Sequence, residues 1–160
     1  HYQPGRETPR ILKPTEGART MQKFYLVWDE SRHALGIPSI DAEHRGLMAL
    51  VNELSELVAH GSDFEQARRQ MEKILDFAAD HFRREEALMR RHGFPGLEQH
   101  AVEHEKLLHK ATTLMETYDP EHADRAVLIT AFLTDCAENH ILHEDRAISQ
   151  YFAERGIRAD

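Results

Sequence analysis

The chain has 160 residues, a formal charge of −8 and charged side chains at 30% of its positions. That length suits one domain with a real core, and an acidic chain without a basic stripe excludes a nucleic-acid surface. No apolar run nears the roughly 20 residues of a membrane span, and the start lacks a secretory pattern. The single cysteine, Cys136, permits no internal disulfide, so a reducing, cytoplasmic setting is expected.

Residues 1–20 hold three prolines and two glycines without apolar periodicity, and are expected to be a linker or an added extension. The domain is then 21–160, with Met21 a native start; the alternative is a domain cut from a longer chain. An arm, "FYLVWDESRHALGIP", leads to a first helix from about Ser39 or Asp41 to His60, stopped by Gly61. Ser62 or Asp63 caps a second helix that runs to about Arg91 and ends at His92-Gly93, with Pro95 beyond. A third helix is predicted from about Gly96 to Tyr118. Asp119 is predicted to cap a fourth, with Pro120 at its first position, where a missing N–H costs nothing, and Gly156 to end it. Short connections make neighbours antiparallel. The expected fold is all-α, an up-down-up-down four-helix bundle with an N-terminal arm.

Each helix carries a stripe with steps of three and four. The stripes read Ile40, His44, Leu47, Val51, Leu54, Val58, then Met71, Ile74, Ala78, His81, Glu85, Leu88. The third reads Leu97, His100, His104, Leu107, Ala111, Leu114, Tyr118, and the fourth Ala126, Ile129, Leu133, Cys136, His140. Polar residues thus stand where core residues belong, and buried polar groups need partners. At a rise of about 1.5 Å per residue, His44, His81, His100, His104 and His140 all fall roughly 21–30 Å from one end of an alternating bundle. They share one level.

Twelve histidines make a lone pair four apart unremarkable, but a full set at one level indicates a metal site. His81 with Glu85, and His100 with His104, are each four apart and share a helix face. On the fourth helix, Glu144 is four from His140 and Asp145 is five. Asp145, Ile148 and Phe152 continue one stripe; Glu144, Ala147 and Tyr151 make its competitor. A one-residue slip after His140, such as a π-bulge, turns Asp145 inward, and periodicity leans that way. His1, His33, His60, His92, His109, His122 and His143 read as surface, loop or terminal residues. Helix phase does not decide whether Asp41 or Glu103 backs the histidines or faces solvent. Five imidazoles and two carboxylates exceed the usual four ligands of one zinc, whereas two metals sharing bridging carboxylates use the whole set.

On these residues the chain resembles the hemerythrin family in its bacterial, single-domain form. The resemblance covers about residues 24 to 152 and rests on "GIPSIDAEH", "HFRREEALM", "FPGLEQHAVEH" and "HILHED". It implies a non-haem di-iron site, with His100, His104 and His140 on one iron and His44 and His81 on the other, which keeps one position open. Glu85 and Asp145 bridge the two. It also implies reversible O2 binding, for storage, delivery or buffering, without catalysis. The family often has Trp-Leu four and three residues before the fourth-helix histidine; this chain has Cys136 and Ala137, which with Ile141 are expected to line the ligand pocket. Either an aromatic such as Phe82 or Phe132 refills that space or the pocket is wider. The alternatives in function are an oxygen or redox sensory module, with a fused or partner signalling domain, and a di-iron enzyme acting on peroxide or NO.

Overall fold

The computed structural model describes residues 25–160; the expected extension at 1–20, Met21 and His1 lie outside them. A short helix α1 (Glu30–His33) sits in the arm, followed by α2 (Pro38–Ala59), α3 (Phe64–Arg91) and α4 (Leu97–Glu116). The fourth long helix is α5 (Arg125–Asn139) continued through a π-helical turn (His140–Glu144) into α6 (Arg146–Glu154). The bundle is square. Helix α2 packs on α3 and α5, and α4 on the same two.

Local chemistry sets the helix ends. The Asp63 side chain accepts the Gln66 N–H at 2.8 Å and caps α3. Gly61 takes φ +68°, so Ser62 N–H reaches Leu57 O at 2.9 Å and Gly61 N–H reaches Val58 O at 3.2 Å, closing α2 tightly. The first helix starts at Pro38, slightly earlier than expected, because Pro suits the opening turn. The fourth starts later than expected. Asp119 caps a 3-10 turn, Pro120–His122, through the Glu121 and His122 N–H groups, and α-helix begins only at Arg125, where the apolar stripe starts.

Two apolar clusters fill the bundle. The larger includes Leu47, Val51, Leu54, Met71, Ile74, Phe82, Ile129 and Leu133, and the smaller Leu35, Ile37, Ile40, Met89, Ile148 and Phe152. Met89, four residues after Glu85, is buried in place of the expected Leu88, which is half-buried. On α5, Ala137 is buried and Cys136 half-buried. The histidine level lies between the clusters: His44 stands between Ile40 and Leu47, and Glu85 between Phe82 and Met89. No helix among the described residues is long and apolar enough to cross a membrane.

The arm is tied down by specific bonds. Asn52 pairs with both Leu26 N–H and Leu26 O, at 2.8 and 2.7 Å. His33 was expected at the surface but is 1% exposed. Its Nδ1 accepts the Asp29 N–H at 2.9 Å and its Nε2 faces Glu138 on α5 at 3.3 Å. The arm thus lies against α2 at Asn52 and against α5 at Glu138.

Candidate metal centre

Four helices deliver the polar level. His44 comes from α2, His81 and Glu85 from α3, His100 and His104 from α4, His140 from the start of the π-helical turn and Asp145 from the position just after it. All seven are buried, none more than 6% exposed. They form two groups, each with one donor atom per residue within 4.8 Å of the rest: Glu85, His100, His104, His140 and Asp145, and His44, His81, Glu85 and Asp145. The two carboxylates belong to both groups.

The π-helical turn is what brings Asp145 in. Its N–H donates to His140 O at 3.1 Å, a bond spanning five residues, so His140 and Asp145 share a face. Ile148 and Phe152 follow it into the core at 1% and 3% exposure, while Ala147 on the competing stripe is exposed. Glu144 reaches the same histidine from outside.

Tautomers follow from the outer partners. His81 Nδ1–H donates to Glu43 at 3.0 Å, His104 Nδ1–H to Glu86 at 2.7 Å and His140 Nδ1–H to Glu144 at 2.5 Å. A neutral imidazole with its proton on Nδ1 turns a lone pair out at Nε2. Those lone pairs converge. His104 Nε2 and His140 Nε2 face each other 3.0 Å apart, and His81 Nε2 lies 3.1 Å from His44 Nε2, on a ring whose tautomer no outer partner sets. His100 Nε2 lies 2.7 Å from Glu85 and 3.1 Å from Asp145, and His44 Nε2 lies 2.9 Å from Asp145. Yet both Asp145 oxygens and Glu85 Oε2 are buried without a hydrogen-bond donor. Facing lone pairs and donorless carboxylate oxygens are costly in an interior, and bound cations relieve both. The donor set fits a di-metal site.

Protons are the competitor for the same lone pairs. Burial opposes charge on His81, but Glu43 and Glu85 hold its imidazolium to about 9. Burial likewise opposes charge on His100, and Asp145 and Glu85 raise it to about 9. Burial also disfavours the Glu85 and Asp145 anions, yet the surrounding imidazoles hold both carboxyls low.

Three outer carboxylates escaped the sequence reading as partners. Glu43 and Glu86 adjoin His44 and Glu85 in the chain, and Glu144 was weighed only as an inner residue. Of the two residues weighed for this role, Asp41 accepts the Leu35 and Gly36 N–H groups at 2.8 and 3.2 Å, and Glu103 pairs with Gln99 and Lys106. His143 is exposed and takes no part.

A cavity of about 50 Å³ abuts His44, His81 and His140 and extends into the larger apolar cluster. Cys136, Ala137 and Ile141 line it, as do Phe82 and Phe132. Phe82 stacks on His104 with ring centroids 3.8 Å apart and a 7° tilt. Aromatic side chains therefore border the space beside Cys136, and a void persists between them. It exceeds the ~10–15 Å³ of such space that a single water needs.

The family model for the hemerythrin HHE cation binding domain matches residues 35–152. A bacteriohemerythrin of Methylococcus capsulatus is 26% identical over 121 residues, covering 76% of this chain and 92% of the relative. One of Clostridium acetobutylicum is 27% identical over 125 residues, covering 76% and 96%. One of Pseudomonas aeruginosa is 24% identical over 121 residues, covering 76% and 77%. The matched span holds all four long helices' contributions to the buried level, from His44 to Asp145, and the chain belongs to the hemerythrin family.

Proposed function

We propose that this protein holds two iron ions in the buried level and binds O2 reversibly beside them, for storage, delivery or buffering, without catalytic turnover. His100, His104 and His140 would hold one ion and His44 and His81 the other, with Glu85 and Asp145 available to both. The observation that carries this reading is the pair of donor groups sharing two donorless carboxylates at the end of an apolar cavity. Mixed imidazole and carboxylate donors suit first-row metals, and the similar chains are named bacteriohemerythrins. Iron, when bound, would lend electrons to O2 on uptake and take them back on release. The chain's own residues do the rest. Glu43, Glu86 and Glu144 orient imidazoles, while Cys136, Ala137 and Ile141 line a pocket that admits a diatomic and offers water few partners.

The test is anaerobic iron reconstitution and reduction, followed by visible spectra in air and after argon purging. Two irons per chain and a charge-transfer band that comes with air and leaves with argon are expected. Failure to take up iron overturns the ligand set, and a band that argon does not reverse overturns the carrier.

One observation favours a sensory module as the second reading. The arm grips the fourth helix on both sides of the π-helical turn: Arg32 and His33 meet Glu138 before it, and Arg146 and Ser149 bond to Arg32 O and Leu35 O after it. A shift of that turn is thereby passed to the arm. Limited proteolysis of the iron-loaded protein, reduced against oxidised, reads it out. Equal cleavage of the arm in both states excludes this reading.

A further inference from the structure

The carboxylates behind the imidazoles are not equivalent. Glu43, behind His81, also accepts a two-pronged pair of bonds from Arg84, at 2.9 and 2.7 Å, so its charge is matched. Glu86 behind His104 and Glu144 behind His140 have no such partner: among the described residues no Lys or Arg nitrogen lies within 4.0 Å of either. His44 Nδ1, the remaining outer nitrogen of the two-histidine half, is buried without any partner. One half thus has a single backed imidazole whose carboxylate is neutralised. The other has two backed imidazoles and two free negative charges.

A carboxylate hydrogen-bonded to the far nitrogen of a ligating imidazole makes that ligand more basic, and nearby negative charge favours the higher positive charge on the ion. Both effects act more strongly on the three-histidine half. On the di-iron reading given above, we propose that Glu86 and Glu144 are positioning residues that direct the first oxidation to the ion held by His100, His104 and His140. In that step one electron passes from this ion to an outer-sphere oxidant such as ferricyanide. No bond is made or broken, and each Nδ1 proton stays with its imidazole.

The test uses the full chain reconstituted with iron. Iron content is measured first, and a wild-type chain that binds none overturns both this inference and the di-iron reading. The two one-electron midpoint potentials are then followed anaerobically by spectroelectrochemistry. Glu86→Gln and Glu144→Gln each raise the lower potential by about 59 mV, the one-electron equivalent of a tenfold change in the equilibrium constant, and leave the upper one in place. Arg84→Gln, which frees the Glu43 charge, lowers the upper potential instead. Opposite signs on different couples are not produced by loosened packing. Equal movement of both potentials in a glutamate variant, or none with two irons bound, overturns the inference while the di-iron reading stands. If Glu86→Gln fails to fold, Glu144→Gln and Arg84→Gln decide it.

Discussion

Glu144 and Asp145 are neighbours in the chain, yet one holds the His140 Nδ1–H from outside and the other faces its Nε2 from inside, at 3.0 Å. Their substitutions therefore differ in kind. Asp145→Asn replaces a buried anion at the junction of both donor groups, and iron content is expected to fall below two per chain. Glu144→Gln keeps an acceptor on His140, so two irons remain with affinity lowered about 10–100-fold. Elemental analysis after dialysis against graded chelator separates them, and equal losses refute the assignment. Cys136 presents a different case. Burial, aided by Asp135, pushes its thiol up to about 11, so it is a neutral side chain and a poor nucleophile beside the cavity. Its influence is one of size. Cys136→Leu is expected to fill the void, raise stability by up to about 1 kcal/mol at ~24 cal/mol per Å³, and slow irreversible decay of the air-dependent band severalfold. Urea titration and stopped-flow decay read the two effects; unchanged decay with raised stability means the cavity does not gate the site.

The π-helical turn is the element on which the ligand level depends, and it amounts to one extra residue between His140 and Asp145. Removing it restores the four-residue spacing of His81 with Glu85 and of His100 with His104. Deletion of the half-buried Leu142 is thus expected to leave helicity and two irons per chain intact. An alanine inserted after Leu142 carries Asp145 about 100° further round, and iron content falls. Circular dichroism with iron analysis decides; a folded deletion variant without iron refutes the one-residue account. This turn was legible only as a conflict between two stripes, because a 3.6-residue period has no natural place for a five-residue bond. The other inner residues were legible directly, since a polar residue in an apolar stripe has nowhere to go but the core. Glu43, Glu86 and Glu144 were not. They sit at helix flanks, where phase describes a solvated glutamate and one bonded to an imidazole identically, and only the neighbouring helix decides between them. His33 stayed hidden because the arm has no period to read, and the late start of α5 because Asp119 caps a 3-10 turn as readily as an α-helix.

At the scale of the whole molecule, the polar level interrupts one apolar interior between its two clusters, so whatever neutralises it contributes to holding the bundle together. Without metal, protons take that role. Burial disfavours the imidazolium forms, but Glu43, Glu85 and Asp145 outweigh it and hold His81 and His100 at about 9, against about 6.5 in an unfolded chain. Between those values the folded state binds more protons than the unfolded state. The stabilisation is therefore fully present below pH ~6.5 and lost as pH rises through about 9. On the acid side, Glu43 acts in the opposite sense: burial raises its carboxyl, but His81 and Arg84 hold it at about 2, so its contribution disappears as pH falls from the usual carboxylate range towards 2. Metal reverses the alkaline limb, because ligation needs neutral imidazoles and its affinity rises as the protons leave. The expected result is a melting temperature of the metal-free protein that falls by about 5 °C or more from pH 6.5 to 9, given ~2–4 °C per kcal/mol for a chain of this size. The iron-loaded protein holds or gains over the same window, so the gap between the two curves widens with pH. Paired thermal melts with and without chelator measure it. A metal-free protein whose melting temperature is flat or rising across that window means the imidazoles do not carry the protons that their geometry assigns them, and parallel curves mean that metal does not displace those protons.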